Sequence, residues 1–193
     1  AGTFFVYETT KNEQGYYEIV DRSGDGKIDE NDLKPYHNSM APVTMGLQSK
    51  WQFYNFDLGI TLRSNIGNYV YNDVRAGRMN GLQTPARSGG YTNVLKGTET
   101  EFARISGSNT VSVSSNAYKM DIWVENASFL RIDNITFGYT WDKPQIRARL
   151  YGSLSNPVVI SGYSGLDPEV FGGIDNNIYP RSMTALVGVS LQF

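Results

Sequence analysis

The sequence predicts an all-β fold whose antiparallel strands form part of a transmembrane β-barrel, and three observations support this prediction. Five segments alternate apolar with polar residues at a period of two, as strands do when successive side chains turn to opposite faces. The cations in these segments fall on the polar faces. The connections between the segments are alternately short and long, as they are in outer-membrane barrels.

The first four segments have apolar faces of similar length. In the first and second, the apolar positions are Met45, Leu47, Trp51 and Phe53, then Phe56, Leu58, Ile60 and Leu62. In the third and fourth, they are Ile135, Phe137, Tyr139 and Trp141, then Ile146, Ala148, Leu150 and Leu154. The opposite faces carry the cations Lys50, Arg63, Arg147 and Arg149. A charge on a lipid-facing position costs about 2–4 kcal/mol at the midplane, so this placement fits a water-filled lumen.

The fifth segment, residues 183–193, alternates most clearly. Its odd positions are all apolar, from Met183 to Phe193, and its even positions are mostly small or polar. A tilted strand of about 9–11 residues spans a bilayer. An exposed apolar edge strand invites aggregation in water, whereas in a barrel the edge is paired and the apolar face meets lipid. This segment therefore favours a membrane strand.

The connections give the predicted topology. Tyr54 and Asn55 join the first two segments, and residues 142–145 join the third and fourth. The long connections are residues 67–126 and 157–180, which we expect to be extracellular loops if Phe193 lies at the periplasmic end. Residues 1–42 are expected to form an extracellular loop region, and residues 43–193 to hold the barrel strands with these two loops.

The third segment changes phase along its length. Leu130 and Ile132 have the opposite parity from Ile135 and Phe137. Either a bulge near Asp133 or a strand end that rises above the membrane explains this change. We favour the strand end, because this is the predicted extracellular end.

Composition limits the remaining classes. The 193 residues include no cysteine, and the net charge of −2 argues against a nucleic-acid partner. Mean hydropathy is −0.37, and no apolar run is long enough for a transmembrane helix. Five strands cannot close a membrane barrel, whose smallest bacterial form has about eight, so we expect a piece of a larger protein. No catalytic motif accompanies the only histidine, His37, so an enzyme is not expected.

An aspartate-rich stretch has the spacing of a calcium-binding loop. Positions 1, 3, 5, 7, 9 and 12 of a twelve-residue loop, with Gly26 at position 6, are Asp21, Ser23, Asp25, Lys27, Asp29 and Asp32. Such a loop directs oxygens at Ca²⁺, with a backbone carbonyl at position 7. The last position is Asp rather than Glu, so Mg²⁺ remains an alternative ion. An Asp/Gly-rich surface turn without an ion is the alternative structure.

Several stretches resemble one family closely. They are residues 21–29, 51–58, 128–139, 163–169 and 179–183, which read DRSGDGKID, WQFYNFDL, SFLRIDNITFGY, YSGLDPE and YPRSM. In order and spacing they are similar to the C-terminal portion of SusC-like TonB-dependent outer-membrane transporters of Bacteroidota. The YSGLDPE and SFLR stretches are the most specific of these matches.

This resemblance implies the last five or so strands of a barrel of about 22 strands, in the bacterial outer membrane. It further implies an N-terminal plug that, like the TonB-binding segment, lies outside this chain, and a SusD-like surface lipoprotein as partner. The implied substrates are oligosaccharides or peptides. In the long loop, Tyr69, Tyr71 and Arg75 are candidates to contact them, with Asn72, Arg78 and Tyr91 nearby. The alternative is that these side chains pack the loop or contact the lipoprotein.

The rival interpretation is a secreted, calcium-stabilised β-sandwich that binds carbohydrate. A sandwich also produces alternating strands and accommodates a calcium loop. The two differ in where the apolar faces lie: a sandwich buries Met45, Trp51, Phe56, Ile135, Val187 and Phe193, whereas a barrel exposes them to lipid.

Overall fold

The computed structural model describes residues 2–13, 15, 17–76, 119–176 and 179–193. These residues form two compact units. The loop unit takes the described residues of Ala1–Met40, Asn68–Asn126 and Glu169–Ile178, and the sheet unit takes Ala41–Gly67, Ala127–Pro168 and Tyr179–Phe193.

The strands are numbered along the chain. In the loop unit they are β1 (Thr3–Tyr7), β2 (Thr9–Lys11), β3 (Tyr17–Ile19), β4 (Leu33–Asn38), β7 (Tyr69–Asn72), β8 (Val124–Asn126) and β11 (Ile174–Asp175). In the sheet unit they are β5 (Val43–Phe53), β6 (Phe56–Ile66), β9 (Phe129–Lys143), β10 (Ile146–Ser161) and β12 (Thr184–Gln192).

The sheet unit is one antiparallel sheet of five strands in the order β12-β10-β9-β6-β5. Each of the five alternating segments forms one strand, and chain neighbours in this set pair with each other. Two-residue turns at residues 54–55 and 144–145 join β5 to β6 and β9 to β10. β10 continues to Ser161, past residue 157 where the sequence placed the start of a loop.

A bulge interrupts the pairing of β9. Asn134 lies opposite Thr61 of β6, whereas the next paired residues are Ile132 and Leu62, so Asp133 is the extra residue. On the other side the register also shifts, between Ser155 and Val158 of β10. A bulge moves the alternation by one residue. It explains the opposite parity of Leu130 and Phe137, and our preference for a simple strand end was wrong.

The loop unit contains three small sheets. β1 pairs with β4, β2 pairs with β3, and β7 lies between β8 and β11. A short 3-10 helix, Glu30–Asp32, leads directly into β4. The buried side chains of Ala76, Met120 and Trp123 form a core cluster, against which Tyr71 packs. Among the described residues, no helix has the length and apolar character that crossing a membrane requires.

Candidate functional site

The sheet has one apolar face, and that face is exposed. The pairing aligns Trp51 with Leu58 and Phe137, in a row that ends at Val187 on β12. Met45 and Trp51 are each 51% exposed, Val187 is 77% exposed and Phe193 96% exposed. A β-sandwich would bury these side chains in its core. Their exposure on one continuous face instead fits contact with hydrocarbon.

The opposite face carries an ion pair that crosses a whole strand. Arg149 of β10 donates from Nη2 to Oδ2 of Asp57 at 2.6 Å and from Nε to Oδ1 at 3.2 Å. Asp57 belongs to β6, and β9 lies between the two strands with Gly138 beneath the pair. A Cβ at residue 138 would lie 2.8 Å from Nη2 of Arg149. The ion pair therefore depends on glycine at this position.

Tyr151 extends this polar network towards β12. The guanidinium of Arg149 lies 5.3 Å from the centre of the Tyr151 ring, a cation–π distance. The ring lies over Gly188, where an added Cβ would be 2.5 Å from the phenol oxygen. Two glycines thus make room for a charged and aromatic layer on the polar face.

A second ion pair lies at the bulge. Arg63 donates from Nε to Oδ2 of Asp133 at 3.0 Å and from Nη2 to Oδ1 at 3.1 Å. Asn134, the next residue, donates to the hydroxyls of Ser153 and Ser155. Two parallel hydrogen bonds between a guanidinium and a carboxylate fix the relative orientation of the two side chains and also strengthen the ion pair. The extra residue of β9 is therefore held by β6, and its neighbour by β10.

A third ion pair is buried and joins two of the stretches that resemble a known family. Nη2 of Arg131 donates to Oδ1 of Asp167 at 2.5 Å. Only 3% of the Arg131 side chain and 8% of the Asp167 side chain are exposed. Arg131 belongs to the SFLR stretch, and Asp167 to the YSGLDPE stretch. The start of β9 and the segment after β10 are thereby locked together.

The aspartate-rich loop is closed by its own hydrogen bonds. Asp32 is fully buried and accepts from the backbone N–H groups of Arg22, Ser23 and Asp29. Asp21 accepts from the backbone N–H groups of Gly24 and Gly26. These bonds hold negative charge against amide dipoles, which stabilises the carboxylates without a cation.

The side chains as placed do not form a cage for a cation. Within the described part of the chain, no three Asp, Glu or His side chains are grouped so that they could hold a metal ion. Oxygen donors remain the right chemistry for Ca²⁺ or Mg²⁺, but both oxygens of Asp32 already accept from backbone amides. For an ion to bind through all six predicted positions, the carboxylates of the loop would have to turn towards a common centre. Calcium binding therefore stays a prediction.

A calcium titration tests that prediction. If the loop binds Ca²⁺, hydrogen exchange across residues 21–32 of the intact protein should slow when millimolar calcium replaces chelator. In Asp25→Ala this calcium response should be lost, since the exposed one of the predicted carboxylate ligands is removed, while the strands of the sheet unit keep their protection. Equal exchange with calcium and with chelator in the unaltered protein would contradict the metal site.

Asp32 predicts an acid-sensitive loop. The backbone N–H groups of Ser23 and Asp29 lower the pKa of the Asp32 carboxyl, against the opposing effect of burial. A lowered folded-state pKa means that the stabilisation is complete above the ordinary carboxyl pKa of about 3.9 and is lost as the pH falls below it. Burial raises the pKa of the phenol of nearby Tyr7 above its ordinary value, so this group does not titrate in the acid range and adds nothing to the acid response.

We therefore expect amide protection at residues 22, 23 and 29 to fall as the pH is lowered from about 5 to 3. Asp32→Asn should reduce this protection where the Asp32 carboxylate is charged and abolish its acid dependence, because the amide is neutral and offers one acceptor oxygen instead of two. Hydrogen exchange corrected for the intrinsic rate provides the measurement. Glu13→Gln, elsewhere in the loop unit, is the matched control and should behave as the unaltered protein.

The predicted substrate-contact residues have structural contacts. The ring of Tyr69 stacks on His37, with ring centres 3.6 Å apart. Arg75 donates from Nη1 to Glu125 at 2.9 Å, and Tyr71 packs against the core cluster. These contacts are those of the packing alternative, and substrate binding by these residues stays a prediction. Arg78 and Tyr91 lie outside the described residues.

Sequence reasoning did not single out Asp57, Gly138, Arg131 or Asp167. One signal was available, because a glycine on the polar face of a strand marks a close approach of another group. Gly138 and Gly188 are both of this kind. The burial of Arg131 had no local signal, since the residue that covers its charge is 36 positions away.

Comparisons with known proteins agree with this arrangement. No family model matches the chain. The chain is 41% identical over its whole length to the TonB-dependent receptor SusC of Bacteroides thetaiotaomicron. It is 25% identical, over 91% of its length, to the TonB-dependent receptor P3 of Formosa agariphila. It spans 19% of the length of each relative.

Solved structures share the fold. The RagAB peptide importer in its closed-closed state matches 99% of the chain with a TM-score of 0.72 at 19% identity, and the match covers 23% of that structure's chain. A second structure, of the RagAB peptide transporter, matches with the same TM-score at 20% identity.

The exposed apolar face, the charged opposite face and the meander of strands define a segment of a transmembrane β-barrel. With 41% identity along the whole chain, the particular family follows. The chain belongs to the SusC-like TonB-dependent receptors of the bacterial outer membrane, and it is a barrel-wall segment of such a receptor.

Proposed function

We propose that this chain is part of the barrel wall of a TonB-dependent importer that takes up oligosaccharides or peptides across the outer membrane. The identity with the receptor SusC over the whole chain supports this proposal most strongly. The likeness to the RagAB peptide importer supports the fold of an import barrel. Transport, rather than catalysis, is the function proposed, since the related proteins are named as receptors and an importer.

The two faces of the sheet support the same role. The apolar face suits lipid, and the polar face, with its fixed ion pairs, suits the wall of an aqueous lumen. Large barrels of this class have filled lumens, so the proposal includes a plug and a TonB contact from other parts of the same protein. It also includes a SusD-like lipoprotein at the extracellular face, the side at which the long loops are predicted to lie.

A growth experiment tests the proposal. Deleting the gene for the full-length protein should abolish growth on at least one oligosaccharide or peptide mixture supplied as sole carbon source, and the intact gene should restore it. Deleting only the TonB-binding segment should reproduce the loss with normal amounts of protein in the outer membrane. If the deletion strain grew as well as the parent strain on every oligosaccharide and every peptide mixture tested, this result would contradict the importer.

Affinity purification tests the partner. A tagged full-length protein, solubilised in mild detergent, should retain a surface lipoprotein at near-equal amount through size-exclusion chromatography. The untagged protein, taken through the same purification, is the control for nonspecific binding of lipoproteins. Elution of the barrel protein without a lipoprotein would remove this part of the proposal and leave the importer itself standing.

A further inference from the structure

We infer that a cavity on the polar face of the sheet holds a carboxylate of the segment that fills the lumen of the same protein. The lining residues of this cavity include Lys50, Gln52, Asp57, Gly59, Thr136 and Arg149. This inference rests on the proposed function, because it requires the polar face to be the lumen wall. It goes further by assigning the surface and the chemistry of its occupant.

Residues of four strands line the cavity, which lies beside Gly59. Gly59 of β6 lies between Lys50 of β5 and Thr136 of β9 in the cross-strand register. A Cβ at residue 59 would lie 2.6 Å from the hydroxyl oxygen of Thr136 and 4.0 Å from the Lys50 side chain. Glycine therefore lets the Thr136 hydroxyl approach the backbone of β6, and the cavity beside it has a volume of about 380 Å³. That volume is enough for a side chain or a small solute.

The charges around the cavity are unequal. The carboxylate of Asp57 is already shared by two guanidinium nitrogens of Arg149. Lys50 is exposed, and among the described residues no carboxylate lies in ion-pair contact with it. Two cations and one anion leave one positive charge, carried by a lysine whose three N–H groups need acceptors. An acceptor with negative charge therefore suits the cavity.

The position of the cavity favours an internal segment as the source of that charge. Lys50 is three residues from the end of β5, and Asp57 is one residue from the start of β6. At about 3.3 Å per residue, both lie within about 10 Å of the short turn. That end is opposite to the long connections, where a solute would first arrive. The Asp57–Arg149 ion pair holds one wall of the cavity in place, which suits permanent contact with a segment of the same protein better than brief contact with a passing solute.

The remainder of the protein can supply the occupant. The relatives are about five times as long as this chain, which spans 19% of their length. Barrels of the largest class have their lumens plugged by another part of the protein. An Asp or Glu of that plugging segment would complete the charge balance at Lys50.

Zero-length cross-linking of the intact protein tests this assignment. A water-soluble carbodiimide joins an amine to a carboxylate with loss of water, and only where the two are in contact. We expect mass spectrometry of the digested, detergent-solubilised protein to show Lys50 joined to an Asp or Glu upstream of the barrel strands. Lys50 should also react with an acetylating reagent at least about tenfold more slowly than exposed Lys27, because the bound carboxylate shields its amine. A factor of ten corresponds to 1.4 kcal/mol.

Moving the lysine along the strand provides the matched control. In the double variant Lys50→Gln/Gln48→Lys, the amine stays on the same face of β5 but leaves the cavity, since Gln48 pairs with Thr61. The cross-link should fall at least fivefold. A cross-link of equal yield would show general closeness to the lumen wall and overturn the site.

Two other results would also overturn the inference. The first is coupling of Lys50 only to Asp57 or to other carboxylates of this chain. The second is acetylation of Lys50 as fast as that of Lys27, which would mean that the amine of Lys50 is open to solvent and not covered by another segment. Neither measurement depends on import, so a protein that transports no tested nutrient can still give the cross-link, and an active importer can lack it.

Discussion

Replacing Arg131 with alanine is expected to destabilise the sheet unit by about 3–5 kcal/mol, because it leaves the buried carboxylate of Asp167 without its charge partner. Only 3% of the Arg131 side chain and 8% of the Asp167 side chain are exposed, so water cannot replace the lost contact. The expected observation is a lower denaturation temperature for the intact barrel, or a lower yield of folded protein in the membrane.

Two control variants distinguish charge from size. The double variant Arg131→Met/Asp167→Leu removes both charges and retains much of the volume, and we expect it to recover a large part of the loss. Arg147→Ala removes an exposed ion pair with Asp142, whose side chains are 59% and 66% exposed. Exposed pairs contribute about 0–1 kcal/mol. An effect of Arg131→Ala no larger than that of Arg147→Ala would contradict the buried ion pair.

Val187→Arg is expected to prevent most of the protein from assembling in the outer membrane. Val187 lies near the middle of β12 and is 77% exposed on the apolar face. An arginine on the lipid face near the midplane costs about 2–4 kcal/mol, a large fraction of ordinary protein stability. The measurement is the fraction of full-length protein that migrates as a folded barrel in outer-membrane preparations.

The neighbouring residue is the sharpest control. Leu186 pairs with Ser153 on the polar face, so Leu186→Arg adds the same charge one residue away but directs it to the opposite side. We expect near-normal assembly of this variant. Ser190 is also on the polar face, but it lies opposite Arg149, where a second arginine would meet a like charge. Equal losses for Val187→Arg and Leu186→Arg would refute the assignment of the two faces.

The five strands of the sheet and their two faces were predicted from the sequence because both are local properties. A period of two assigns each side chain to a face, and the two short connections make the strands that they join antiparallel neighbours. Lys50, Arg63 and Arg149 could therefore be placed on the polar face from the alternation alone. The terminal strand, with its apolar odd positions, was equally clear.

The sites on that framework depended on contacts between distant parts of the chain. Asp57 and Arg149 are 92 positions apart and meet across Gly138. The bulge at Asp133 required two neighbouring strands to be aligned together. In the aspartate loop the spacing was local, but the burial of Asp32 was not visible in it.

By itself, the sequence determined where the strands lie and which of their faces is apolar, since alternation records the two sides of a sheet directly. Only the tertiary structure decided which charges meet and which are buried, such as Arg131 with Asp167. The physical reason is that an ion pair depends on the distance between two side chains in space, whereas periodicity describes only neighbours along one strand.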